Sequence, residues 1–231
     1  MAHKGLKIFV VICVLLLVAI FYVWAVGQID SLAPEDNSNI NITEEDNTKG
    51  PDLLITPASK IYMSIIDESD PVRGSGSAQL TILEFGDFEC PYCQSVSEDL
   101  SRVLVEYQGR VNLVWKDFPS PSHANARTAA LAARCAEDEG KFWQYHDYLF
   151  VNQEELSREL YNDIALELKL DLARFNKCLD NSEKIELVGQ GLTDGQAIGV
   201  DATPYFFIGN KKYDYALTYG ELRKIIDSEL N

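Results

Sequence analysis

Four residues constrain the fold of this chain more than any others. Cys90-Pro91-Tyr92-Cys93 stands between a β-prone apolar run, Gln79–Phe85, and a stretch that reads as helix from Cys90 to about Gln108. Residues three apart on a helix are neighbours, so the two sulfurs are close enough to join. The first cysteine falls where unpaired backbone N–H groups and the helix dipole favour negative charge. That lowers a thiol pKa and enriches the thiolate, which is the attacking species. Pro91 suits a first helical turn, where its missing N–H is no loss. The spacing therefore predicts Cys90 as an exposed nucleophile and Cys93 as a more buried resolving thiol. The rival reading, half of a zinc site, needs two further ligands, usually a second tight pair. Cys135 and Cys178 stand far apart, and His3, His123 and His146 form no ligand-like cluster. No metal is expected.

The surrounding pattern reads as an α/β fold. Gly109 ends the first helix and Val111–Trp115 is a second apolar strand. A strand–helix–strand unit favours parallel pairing with a right-handed crossover. Ile61–Ile66 reads as a short strand or helix, and Asp70-Pro71 and Gly74-Ser75-Gly76 as turns. From Ser122 to about Ile198 the sequence reads as all helix. Ser122 is placed as the cap of an Ala-rich segment that runs to Glu139, followed by helices over 141–152, 157–170, 172–179 and 182–198. Tyr205–Ile208 returns to strand, Gly209-Asn210 turns, and Lys212–Tyr215 is a partner strand. Thr218 caps a last helix through Leu230, with Glu221 completing a capping box. The expectation is a central mixed β-sheet flanked by helices, with an all-helical insertion over about 122–198. The aromatic residues of 142–150 read as core, Lys116-Asp117 as a solvated strand end, and His123 and His146 as ordinary helix residues.

The N-terminal segment bears on location. Ile8–Gly27 is nearly all apolar, and about 20 such residues span a hydrocarbon core of roughly 30 Å. Lys4 and Lys7 precede it, which predicts a cytoplasmic N-terminus (1–7), a transmembrane signal anchor (8–27) and a catalytic domain outside the cytoplasm. A cleaved signal peptide is the alternative, because Ala25-Val26-Gly27 resembles a small-x-small cleavage site. Either way the remainder is exported, as a periplasmic or cell-surface domain. Cys13 within the run reads as a passive apolar residue. Residues 28–60 are rich in Asp, Glu, Asn, Ser and Thr and read as a flexible acidic linker, leaving 61–231 as one domain. The formal net charge of −16 argues against nucleic acid as a partner.

Glu84-Phe85-Gly86-Asp87-Phe88-Glu89-Cys90-Pro91-Tyr92-Cys93 resembles the active-site segment of DsbA-like proteins of the thioredoxin superfamily. So do Lys116–Pro119, the Ala-rich stretch with Cys135, Gly140–Trp143 and Gly199–Pro204, which extends the resemblance over about 62–231. The resemblance implies a thioredoxin-like fold and a thiol:disulfide oxidoreductase whose redox-active group is a Cys90–Cys93 disulfide, with no cofactor. It implies that Thr203-Pro204 is the loop whose proline is cis beside the disulfide, and that the Thr203 backbone, with Pro204, Pro91 and Tyr92, meets the substrate chain. It implies that Glu84 is the buried acid that exchanges a proton with Cys93. Tyr92 stands where strong oxidants of the family carry His, and the Pro-Tyr pair also resembles that of glutaredoxins, so the redox direction stays open.

Cys135 and Cys178 are expected to form a structural disulfide clamping the helical block, against the alternative of two buried thiols; similar pairs occur in relatives with this insertion. The expected partners are exported cysteine-containing proteins and, for an oxidase, a quinone-linked membrane protein of the DsbB or vitamin K epoxide reductase type. The rival functions are a reductase or isomerase fed by a membrane reductant, and a tethered peptide-binding chaperone.

Overall fold

The computed structural model describes residues 62–231. The expected cytoplasmic segment, anchor and linker, residues 1–60, lie outside them, as does Cys13. Among the described residues no helix is long and apolar enough to cross a membrane.

The sheet is built outward from two parallel strands, β2 (Leu80–Gly86) and β3 (Val111–Asp117), joined by helix α1 (Pro91–Glu106). They run in register from Leu80 opposite Val111 to Gly86 opposite Asp117. β1 (Val72–Gly74) pairs antiparallel with the outer side of β3. β4 (Tyr205–Ile208) pairs antiparallel with β2, and β5 (Lys211–Tyr213) closes the far edge, giving the order β1-β3-β2-β4-β5. Both central strands are buried almost throughout because helices or loops cover both faces of the sheet. On one face Leu80, Ile82, Leu113 and Phe206 pack with Val96, Leu100 and Val103 of α1 and with Leu222 and Ile226 of the last helix, α7 (Tyr219–Leu230). On the other face Leu83, Phe85, Val114 and Phe207 pack with Phe118, Val200 and Tyr62.

Five α-helices lie between β3 and β4: α2 (Ala126–Glu137), α3 (Phe142–Val151), α4 (Arg158–Glu167), α5 (Leu172–Asp180) and α6 (Ile185–Ala197). They bury their own aromatic and Ala-rich core, which includes Phe142, Tyr145, Leu149 and Phe150, while Tyr148 stays partly exposed. Cys135 of α2 and Cys178 of α5 are joined by a disulfide, with Cα atoms 5.9 Å apart. Local chemistry sets several helix ends. Ser157 and Asp171 accept from N–H groups of the first turns of α4 and α5, and Thr218 with Glu221 forms a capping box on α7. Gly109 turns the chain out of α1 at φ 81°. Gly191 lets α6 lie against β3, since a Cβ there would sit 2.3 Å from the Asp117 carbonyl oxygen.

Four expectations need correction. Ser122 does not cap a helix: α2 begins at Ala126 after Asn125, because Asp87 and Glu89 hold the preceding segment against the loop before α1. A strand, β1, lies where only turn signals stand; it is a three-residue edge strand, too short to show periodicity. Lys116 and Asp117 are not solvated. The Lys116 Nζ lies 2.8 Å from Asp70 and 2.7 Å from Asp194, and Arg134 Nε lies 2.6 Å from Asp117, all nearly inaccessible. Removing one partner from such a buried pair costs about 3–5 kcal/mol. Of the two histidines, His146 is a buried helix residue packed edge-on against Phe88 and Trp115, while His123 lies in the loop before α2.

Candidate active site

Cys90 is the N-cap residue of α1, with extended backbone angles, and Pro91 follows in the first turn. No side chain caps the helix, so its first N–H groups are left to the Cys90 sulfur. The Cys93 thiol, the Thr203 hydroxyl and the N–H groups of Cys93 and Tyr92 together outweigh burial and pull the Cys90 pKa down to about 5. The Cys90 Sγ also lies 3.3 Å from the Thr203 carbonyl oxygen. Cys93 is fully buried on the inner side of α1. Burial, the hydrogen bond to Cys90, and the charges of Glu84 and Cys90 push its thiol well above the usual range. The two sulfurs thus have opposite characters, and both are free thiols in this structure. The exposure expected of Cys90 is not found: only 4% of its surface is accessible, and it is reached through a cleft.

That cleft, about 430 Å³, is lined by Cys90, Tyr92, Phe118, Pro121, His123 and Thr203 among others. Tyr92 is 66% exposed at its rim. The Thr203–Pro204 peptide bond is cis and leads into β4, which pairs with β2. Sheet pairing therefore carries the Thr203–Pro204 loop to the same end of the sheet as Cys90.

Glu84 lies on β2, on the face that carries Leu80 and Ile82, as the two-residue period of a strand requires. It is 2% exposed, and burial, then the charge of Cys90, raises its pKa to about 8. Its charge also bears on Cys93. Near neutral pH it is therefore mainly a protonated acid beside the buried thiol.

Sequence reading missed the residues that fix the loop Gly86–Cys90. The buried Asp87 carboxylate accepts from the backbone N–H groups of Glu89 and Ser120, both at 2.8 Å, and bonds His123 Nδ1 at 2.7 Å. Glu89 accepts from the Asn125 N–H at 2.6 Å, at the start of α2. Gln153 donates to the carbonyls of Phe88 at 2.8 Å and Cys90 at 3.0 Å. Asp87 and Glu89 stand within the segment that flags the site, but nothing local singles out His123 or Gln153, whose partners are 36 to 65 residues away.

A strand that delivers a dithiol to a helix N-terminus, opposite a loop with a cis proline, defines a thioredoxin-fold dithiol protein. The chain belongs to the thioredoxin family: residues 67–228 match the family described as Thioredoxin. Among curated relatives it is 35% identical over 154 residues to the Na(+)/H(+) antiporter NhaA 3 of Salinispora tropica, a match covering 66% of this chain and 24% of that protein. The chain thus spans about a quarter of the length of such relatives. Among solved structures it is similar to BdbD from Bacillus subtilis, with 25% identity and a TM-score of 0.65 over 71% of this chain and 94% of that one. It is similar also to the thiol-disulfide exchange protein alpha-DsbA2 from Wolbachia pipientis, with 25% identity and a TM-score of 0.66 over 74% and 92% of the two chains.

Proposed function

We propose that this protein is a thiol–disulfide oxidoreductase acting outside the cytoplasm, introducing or exchanging disulfides in exported proteins through Cys90 and Cys93. One observation carries the reading: a sulfur stabilised as thiolate at a helix N-terminus faces a cleft, with a second thiol buried behind it. In the oxidised form a substrate thiolate attacks Cys90 Sγ. The Cys90–Cys93 bond breaks, its electron pair passes to Cys93, and Cys93 takes up a proton. Glu84, protonated near neutral pH, is the group proposed to supply it. A second substrate thiolate then attacks the substrate sulfur of the mixed disulfide, and Cys90 leaves as a stable thiolate. The substrate loses two electrons and gains a disulfide, and the protein becomes a dithiol. The Thr203 backbone beside Cys90 is suited to hold an extended substrate segment in strand-like fashion.

Export by the apolar segment 8–27, as a membrane anchor, and reoxidation by a quinone-linked membrane protein of the DsbB or vitamin K epoxide reductase type complete the proposal. The similarity to a thiol-disulfide exchange protein supports the chemistry. The uncharged, exposed Tyr92 favours a second reading, in which a membrane reductant keeps the pair reduced and the protein acts as reductase or isomerase.

The test is the equilibrium of the Cys90–Cys93 pair against glutathione, followed by alkylation and mass analysis. The oxidase reading expects a pair more oxidising than glutathione. A value like those of cytosolic reductants rejects it in favour of the second reading.

A further inference from the structure

The cleft over Cys90 contains one side chain able to carry positive charge. Of the residues lining it, Asp201 brings a carboxylate, Tyr92 a phenol, and His123 an imidazole. His123 is fixed there. Its Nδ1 lies 2.7 Å from Asp87, whose side chain has no accessible surface, while 29% of the His123 side chain remains accessible. Asp87 is itself held by the N–H groups of Glu89 and Ser120, so it cannot swing away with the ring. When Nδ1 donates to Asp87, Nε2 on the opposite side of the ring is free to take a second proton.

We propose that His123, anchored by Asp87, is the cationic group of this cleft and couples electrostatically to the Cys90 sulfur, so that imidazolium and thiolate stabilise each other. It is a positioning residue acting on Cys90, and this inference rests on the redox reading above. The groups that act on it are Asp87 and Glu89 from the loop before α1 and Cys90 at the N-cap of α1, and Tyr92 and Asp201 share the cleft with it. Burial works against the charged ring, but the hydrogen bond and charge of Asp87, with the charges of Cys90 and Glu89, raise its pKa above the ordinary histidine value. The ring thus carries charge into the range where Cys90 is ionised.

Coupling of this kind is reciprocal. Oxidation to the Cys90–Cys93 disulfide removes the thiolate charge and must weaken the imidazolium. The experiment follows the His123 ring-proton NMR signal through pH in the full chain, reduced and oxidised, assigned by its absence from His123→Gln. The expected midpoint is higher in the reduced protein by about 0.5 unit, a fraction of the shift that a close, buried opposite charge produces. Equal midpoints overturn the inference. In parallel, the pH midpoint of Cys90 alkylation by iodoacetamide is expected to rise in His123→Gln and to return toward wild type in His123→Lys. A rise in both variants assigns His123 a role of shape and overturns the charge coupling. If wild-type Cys90 titrates like free cysteine, the redox reading itself fails. A low Cys90 midpoint without His123 coupling rejects this inference alone.

Discussion

The molecule carries two pairs of cysteines in two kinds of surroundings, and the contrast shows how position assigns their chemistry. Cys90 and Cys93 stand where β2 hands over to α1, with unpaired N–H groups, a neighbouring thiol and a hydroxyl directed at one sulfur. Cys135 and Cys178 stand inside α2 and α5, nearly inaccessible within the apolar core of the helical block. The first pair can hold a negative charge and is reached through a cleft. The second has been spent on joining two helices. All four cysteines have little accessible surface, so the same residue type separates into a proposed reactive centre and a clamp through helix position and the groups that meet each sulfur.

The sharpest way to break this contrast is Cys90→Ser. Disulfide transfer to a reduced, unfolded substrate protein is expected to fall by about 10³-fold or more, since removing the nucleophile removes the covalent path. The double change Cys135→Ala with Cys178→Ala should leave the rate within about twofold, because neither residue touches the cleft. Equal losses in both proteins, measured by substrate alkylation with time, would show that the two pairs are not separate in role.

Much of this contrast was legible from sequence, and its limits have a physical cause. The dithiol, the strands β2 and β4 and the capping box at Thr218 and Glu221 are written in local pattern, within one turn or one strand. What escaped depends on long-range contact. Lys116 and Asp117 read as solvated because charge ordinarily faces water, yet their partners Asp70, Asp194 and Arg134 arrive from other parts of the chain. Asp87 lies inside the segment that flags the site, but its partner His123, and Gln153, became visible only once the chain beyond β3 met the loop before α1. The cleft itself forms between segments around residues 90, 120 and 202, which no local pattern brings together.

A second prediction sharpens the reactive side. Glu84 and Cys90 should give opposite stability slopes with pH. The folded pKa of Cys90 is depressed from 9.0 to about 5, so its contribution to the reduced protein is present above 9 and is lost as pH falls toward 5. The folded pKa of Glu84 is raised from 4.5 to about 8, so its neutral form is favoured below 4.5 and stability is lost as pH rises through 8. Glu84→Gln removes the second slope. Relative to wild type it should gain stability between pH 4.5 and 8, by up to about 5 kcal/mol, an order-of-magnitude figure from the shift. It should also slow disulfide transfer at neutral pH, having lost the proposed proton donor to Cys93. Urea melts at pH 5 and pH 8 check the first point. A variant with the wild-type slope would place the titrating group elsewhere.

The smallest expected effect tests the clamp. The disulfide closes a segment with a sequence separation of 43, and a loop of that size restricts the unfolded chain by about 4 kcal/mol in the chain-entropy account. Replacing both residues with Ala should lower unfolding free energy by about that amount, since the two sites are buried and small and Ala leaves little new cavity. Denaturant melts of the oxidised proteins measure it, with the slope rising as the unfolded state expands. The informative comparison is with reduction. A mild reductant should open Cys90–Cys93 first, because the stabilised Cys90 thiolate favours the reduced dithiol and the cleft admits the attacking thiol, while the clamp between α2 and α5 resists. If Cys135 and Cys178 open together with the reactive pair, burial does not protect them, and the division of labour between the two regions must be drawn from thiol acidity alone.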